Sequence, residues 1–308
     1  MKRLLGLVGL LVITGCAQPF QAARDVSLTH PWSGFTRVEV RTTNGSVDLG
    51  PGPDQAVQIT GRKTARGATM QEAETIVDQI VVFAGPLDGR ANTLLVEVRV
   101  PAEFKNRSGA NLTIRVPEPC AAQVTASNGS VSVSRMNGEQ ILATSNGSVS
   151  LADSQGKATL ATSNGRVRVT THAGCVTAET SNGSVEARAV TGDIDAHTSN
   201  GHIDLGDIAG SVSAETSNGD VLVTVAPPEA GRVHAETSNG SVHIRLPRAL
   251  LANFTLSTSN GRVALNNLDE SKLTFTTRAK TRVEAHAAGA SCTVTGSTTN
   301  GSATVEGQ

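Results

Sequence analysis

Glu179, His197 and Glu215 recur at one constant interval, and Glu236 follows after a slightly longer gap, in a chain of 308. Were the chain coiled with that period, an imidazole would lie between two carboxylates about 5 Å to either side. Such a column could hold a transition metal. It is equally what a solvated ladder of weak, exposed charge pairs looks like. The ladder is the reading adopted and no metal or other cofactor is assigned; His197, Glu179 and Glu215 stand as the candidate ligands. Arg168, Glu186 and Asp204 form a similar column and read as pairing between coils.

Two other chemistries fit less well. Glycines spaced by nine suggest calcium-binding repeats, which place ligating aspartates in the turn. Here that stretch reads Gly147-Ser148-Val149-Ser150-Leu151-Ala152, with no aspartate at the required place. A polysaccharide lyase needs clustered acids, a basic residue and a long loop walling a cleft, whereas these repeats have short corners. No HExxH and no Ser-His-Asp arrangement is present. Asn-Gly-Ser also matches the glycosylation sequon, read here as a coincidence. The chain is read as not an enzyme.

The elements that position these residues are set by a fixed period. Glycines recur at every ninth position from Gly129 to Gly219, and Thr144-Ser145-Asn146-Gly147 recurs at Thr162, Thr180, Thr198 and Thr216. The full repeat is therefore twice the glycine spacing and has two corners, the pattern of a solenoid. Residues four after each glycine are apolar throughout, as at Leu142, Leu151, Leu160 and Val169. Those two after are apolar as well, Gln140 being the exception. Each half-repeat is thus a short strand with one buried face. Asn-Gly is also a hairpin signal, but a meander of hairpins needs no identical half-repeats, whereas stacked coils do. The reading is an all-β fold, a β-solenoid of 18–21-residue two-strand coils. Asn128, Asn146, Asn164, Asn182, Asn200, Asn218, Asn239 and Asn260 are expected to form an internal amide ladder at one corner. The preceding threonines point inward, their hydroxyls bonding the corner backbone.

Beyond Gly219 the period stretches. The next Asn-Gly pairs are at Asn239, Asn260 and Asn300, and the last gap is wide enough for two coils. Pro227-Pro228 and Leu246-Pro247 read as longer corners. Leu273, Phe275 and Thr277 fit the inward track of a coil without its Asn-Gly. About ten coils are expected after residue 120, a rod of roughly 48 Å.

Residues 1–16 read as a lipoprotein signal peptide: Lys2-Arg3, an apolar Leu4–Ile13, then Ile13-Thr14-Gly15-Cys16, a stretch too short to span a bilayer. That ending resembles a bacterial lipobox, which implies a lipid (palmitate) on Cys16. Residues 17–30 are expected to be a tether. Residues 31–118 read as an N-terminal cap and first coil. Phe35, Val38, Val40 and Asn44-Gly45 make that coil, set apart from the regular stack. Strands fall at Val57–Ile59, Leu94–Val100 and Leu112–Val116. A helix falls on Met70–Phe83, with Ala73, Ile76, Val77, Ile80 and Val81 on one face. Residues 119–308 are the repeats. The cap covers an edge that would otherwise pair with other molecules.

A formal charge of −1 gives no electrostatic case for nucleic acid. One Trp, six Phe and no Tyr leave few stacking platforms. Of the cysteines after Cys16, Cys120 and Cys175 would stand three coils apart, about 14 Å, beyond disulfide reach. They and Cys292 are expected to be buried or to link two molecules.

The Thr-Ser-Asn-Gly-x-Val repeats, behind a strand-rich segment ending in Val116-Pro117, resemble the bacterial putative-adhesin domain family. This is a domain of unknown function in envelope proteins, related to GIN-type adhesin heads; the resemblance spans about residues 33–306. It implies a membrane-tethered β-solenoid with no catalytic signature. The function read is a lipid-anchored, non-catalytic binding or scaffold module of the cell envelope. Its partners are the membrane, through the lipid, and an envelope protein or polysaccharide. Rival readings are an envelope-stress sensor and a structural spacer, and beyond them a polysaccharide-active enzyme. By enteric sorting rules Ala17 points to the outer membrane in a Gram-negative host, and otherwise to the outer face of the plasma membrane.

Overall fold

The computed structural model describes residues 20–308 apart from 53–54, 118 and 226–230. The signal peptide, Cys16, Ala17 and Pro227-Pro228 lie outside those residues.

The chain is an all-β solenoid. Each coil contributes one strand to a 14-stranded sheet and one to a 13-stranded sheet. Along the regular stretch the strands pair in parallel, each exactly one repeat behind the next: Leu142 lies beside Leu160, and Leu160 beside Ala178. In the first sheet Gln140, Leu142 and Thr144 face inward; in the second, Val149, Leu151 and Ser154 do. Like side chains therefore stack on like, and one continuous apolar core runs the length of the rod.

The step from Leu151 to Ser154 breaks the two-residue alternation. Asp153 adopts a left-handed conformation (φ 50°), as do Arg135, Thr171, Ala189 and Asp207 in the other coils. This bend turns the following residue, Met136, Ser154, His172, Val190 or Ile208, into the core. Gln140 is buried as well. Its Nε2 donates to the carbonyls of Gly138 and Gln155 at 2.7 and 3.0 Å.

The corners explain the glycines. A Cβ on Gly147 would lie 2.2 Å from the Gly129 carbonyl oxygen, and one on Gly156 2.1 Å from that of Gly138. Coils at about 4.8 Å spacing leave no room there. Gly156 also holds φ 106°, which L side chains avoid.

Several sequence expectations need correction. Residues 20–30 are not a tether: Phe20–Pro31 is a 12-residue strand pairing antiparallel with Ala56–Gly67. Its side chains are largely exposed on both faces, so no alternation marks it in the sequence. The helix stops at Asp78, and Val81 opens the next strand, Val81–Leu87. Thr69 caps that helix by accepting from Glu72 N–H, while the Glu72 carboxylate accepts from Ala68 N–H. The latter bond and the Arg107 guanidinium hold the Glu72 carboxyl below its ordinary range. The first coil, Arg37–Arg41 with Val47–Pro51, is not set apart. It stacks directly on Ala121–Thr125 and Val131–Ser134. The intervening cap, with Arg90–Arg99 and Ser108–Val116, covers its other side.

The far end departs most. Leu273–Arg278 and Arg282–Ala287 form an antiparallel hairpin that closes the 14-stranded sheet, so Leu273, Phe275 and Thr277 do not lie on a coil's inward track. The last coil, Cys292–Asn300 with Ala303–Gly307, is inserted between the coils of residues 232–246 and 252–266. Gly296 makes the order specific: a Cβ there would lie 2.8 Å from Leu256 Cδ2, so Leu256 occupies the space a larger residue would fill. Nine coils follow residue 120, not ten. With the first coil they give ten rungs spanning about 43 Å.

Candidate binding face

The corner threonines behave as expected. Thr162 Oγ1 donates to the Gly147 carbonyl at 2.9 Å and Thr180 Oγ1 to that of Gly165 at 3.0 Å. Both threonines are buried, so each hydroxyl ties its coil to the preceding corner.

The asparagines form a ladder, but an external one. Each Nδ2 donates to the Oδ1 of the preceding rung at 2.7–3.0 Å, in the order 44, 128, 146, 164, 182, 200, 218, 239, 300, 260. The strand runs on to Asn146, but its two-residue alternation ends at Thr144, and both Ser145 and Asn146 are exposed. Asn44 is the top rung, its Nδ2 donating to the carbonyls of Ser108, at 2.9 Å, and Lys105.

Beside the ladder, on the outer face of the 14-stranded sheet, a groove of about 650 Å³ crosses six coils from Thr144 to Ser238. One wall is the serine row Ser163, Ser181, Ser199 and Ser217. The other is the row Glu179, His197, Glu215 and Glu236. The register is the one the repeat spacing requires, with His197 between Glu179 and Glu215.

The side chains do not converge on a metal. His197 Nε2 lies 2.7 Å from Asp195 and its Nδ1 3.6 Å from Glu215, while His234 Nε2 is 3.6 Å from both Glu215 and Glu236. These groups are about 30–54 % exposed. Pairs so solvated are worth about 0–1 kcal/mol. Among the described residues no group of histidine, cysteine and carboxylate side chains is arranged to hold a metal ion. Nor does any serine hydroxyl among them hydrogen-bond a histidine.

Arg168 pairs with Glu186 at 2.8 Å on the opposite sheet, with Arg166 reaching the same carboxylate at 3.2 Å; Arg188 pairs with Asp204. Cys120 and Cys292 are buried and Cys175 is exposed. Burial pushes the Cys292 thiol up. Sequence reasoning missed two buried ionisable residues. Glu39 is covered on the sheet's outer face, with Oε1 2.5 Å from Arg41 Nη2. His172 lies in the core with Nε2 2.8 Å from the Gly156 carbonyl oxygen.

A family model for Toastrack DUF4097 matches residues 92–306, more than two thirds of the chain. The chain belongs to the Toastrack DUF4097 family. The match covers every coil from Ala121–Thr125 onward and begins within the cap. Curated proteins give no match. Among solved structures, a "putative adhesin" from Bacteroides fragilis is 12% identical over 92% of this chain and 97% of its own, with a TM-score of 0.44. A "putative lipid binding protein" from Parabacteroides distasonis is 12% identical over 92% of this chain and 96% of its own, with a TM-score of 0.37. No helix among the described residues is long and apolar enough to cross a membrane.

Proposed function

We propose that this Toastrack protein is a lipid-anchored module of the cell envelope that binds an extended polar ligand without transforming it. The anchor is Cys16, and the binding face is the groove beside the asparagine ladder. The observation that carries this reading is the groove's continuity. Four successive coils, from Ala161 to Ser217, repeat an outward side chain, a threonine and a serine at one spacing, and Thr144 on one side and Glu236 and Ser238 on the other extend the groove to six coils. A long polymer laid along the rod would meet the same hydroxyl row in each coil, and its affinity would be a sum over coils. A catalytic site needs instead a concave pocket with groups of fixed mutual geometry. The groove offers exposed hydroxyls and solvated carboxylates, with no serine activated by a histidine. Anchorage rests on Ile13-Thr14-Gly15-Cys16 at the end of an apolar segment.

The test has two arms. Cys16→Ser should move the protein from the membrane to the soluble fraction; a variant that still pellets and resists salt extraction would remove the anchor. The purified protein should be retained by envelope polysaccharide or peptidoglycan with no product released. Steady release abolished by one acid-to-amide change in the groove would make it an enzyme.

A further inference from the structure

Eleven Asn-Gly pairs occur in the chain. Such a pair is chemically labile, because glycine has no side chain to shield its backbone nitrogen. That nitrogen attacks the asparagine Cγ and a C–N bond forms. Ammonia leaves with the side-chain nitrogen and takes up the proton the glycine nitrogen releases. Water then opens the cyclic imide to aspartate or isoaspartate. The reaction consumes only water. It requires a glycine N–H released from any firm hydrogen bond and an asparagine side chain free to fold back.

Within the ladder every asparagine side chain is held on both sides, and most of the glycine N–H groups are held too; Gly165 and Gly183 N–H meet no acceptor among the described residues, so Asn164 and Asn182 are shielded by their side-chain bonds alone. At Asn218, Oδ1 accepts from Asn239 at 3.0 Å, Nδ2 donates to Asn200 at 2.9 Å, and Gly219 N–H donates to the Asn239 carbonyl at 2.9 Å. Asn146, Asn200 and Asn300 are held by the same three kinds of bond. The top rung, Asn44, is closed by the cap carbonyls, and Gly45 N–H donates to Asn128 at 2.8 Å. The bottom rung has no such closure. Asn260 donates to Asn300 at 2.9 Å, but among the described residues no donor reaches its Oδ1 and no acceptor meets Gly261 N–H. Asn137-Gly138 sits at the opposite corner, off the ladder. Both residues are exposed, and the Asn137 amide has no partner among the described residues. Asn137 meets the next coil only through an isolated bridge to Gln155. Gly138 N–H makes no hydrogen bond to a carbonyl among the described residues, whereas the equivalent Gly156 and Gly174 N–H groups donate to Ala173 and Thr191 at 2.8 and 3.1 Å.

We propose that Asn260 and Asn137 are the chain's sites of spontaneous deamidation, and that the ladder shields the asparagines within it. The repeat that builds the rod thus protects its own reactive bonds, and exposes one at the tip where stacking ends.

The test is to age the full folded chain in mildly alkaline buffer and map aspartate and isoaspartate by mass spectrometry of its peptides. Asn260 and Asn137 should convert, with Asn200 and Asn218 at least about tenfold slower, since they react only through local opening. In the urea-unfolded chain all four should convert alike. Asn218 reacting as fast as Asn260 in the folded chain, or Asn260 as slowly as Asn218, would overturn the proposal. Asn239→Ala removes the donor to Asn218 Oδ1 but keeps the backbone bond of Gly219. It should raise the Asn218 rate severalfold, and an unchanged rate would overturn the shielding role of the side-chain ladder.

Discussion

Thr180→Val should destabilise the rod more than Asn182→Ala, although the asparagine loses two hydrogen bonds and the threonine one. Thr180 is 6 % exposed, and its hydroxyl donates to the Gly165 carbonyl at 3.0 Å. Valine keeps the shape but leaves that carbonyl without its donor where water cannot replace it, a loss of about 1–3 kcal/mol. Asn182 donates to Asn164 and accepts from Asn200, each at 3.0 Å, on an exposed edge where water substitutes for both. The cost there is about 0.5 kcal/mol. Thr162, Thr180 and Thr198 bond three different glycines, Gly147, Gly165 and Gly183. With no shared acceptor their effects should nearly add, so the triple valine variant should lose about 3–9 kcal/mol. A solenoid can unfold in parts, so the assay is native-state hydrogen exchange of amides in the coils flanking residue 180. Asn182→Ala proving equal to or worse than Thr180→Val would refute the claim that the buried hydroxyls hold the corners.

Other predictions concern the core and acid sensitivity. Leu160 is fully buried, so Leu160→Asp should cost several kcal/mol through an unpaired buried charge. Arg168→Asp, on the solvent face, should cost about 0.5 kcal/mol; equal shifts in urea midpoint would remove the two-faced coil. Burial pushes the His172 pKa down from 6.5, against the raising effect of its bond to the Gly156 carbonyl. Protonation is therefore disfavoured in the folded state. His172 is stacked between Ser154 and Val190, with no charged group in that column. Stability should be full above the unfolded pKa, about 6.5, and fall as pH drops below it toward the folded value. His172→Val should flatten urea midpoints across about pH 7 to 5, and an unchanged slope would exclude His172 as the cause.

The repeat, the inward apolar tracks and the threonine bonds were all legible in the sequence, because each depends on residue type at a fixed spacing. The left-handed bend was not, since Arg135, Asp153, Thr171, Ala189 and Asp207 share no chemical character. Asn146 was misplaced inward by extending strand alternation through a corner. The intercalated last coil was illegible for a different reason: Asn260 and Asn300 carry the same motif and stack equally well on Asn239. The order depends on Leu256 filling the space at Gly296 on the neighbouring coil, a fit that no fixed spacing encodes. In the groove, spacing correctly brought Glu179, His197 and Glu215 into one column, but it could not show His197 turning toward Asp195.

The central claim is that affinity is summed along the groove, and removing whole coils tests it most directly. Deleting residues 165–182, then 165–200, keeps the repeat in register while removing one and then two rungs of the serine and carboxylate rows. Affinity for the retained envelope polymer, measured by titration against each variant, should fall stepwise with each coil. Unchanged affinity, or complete loss at the first deletion with the fold intact, would contradict a distributed binding face.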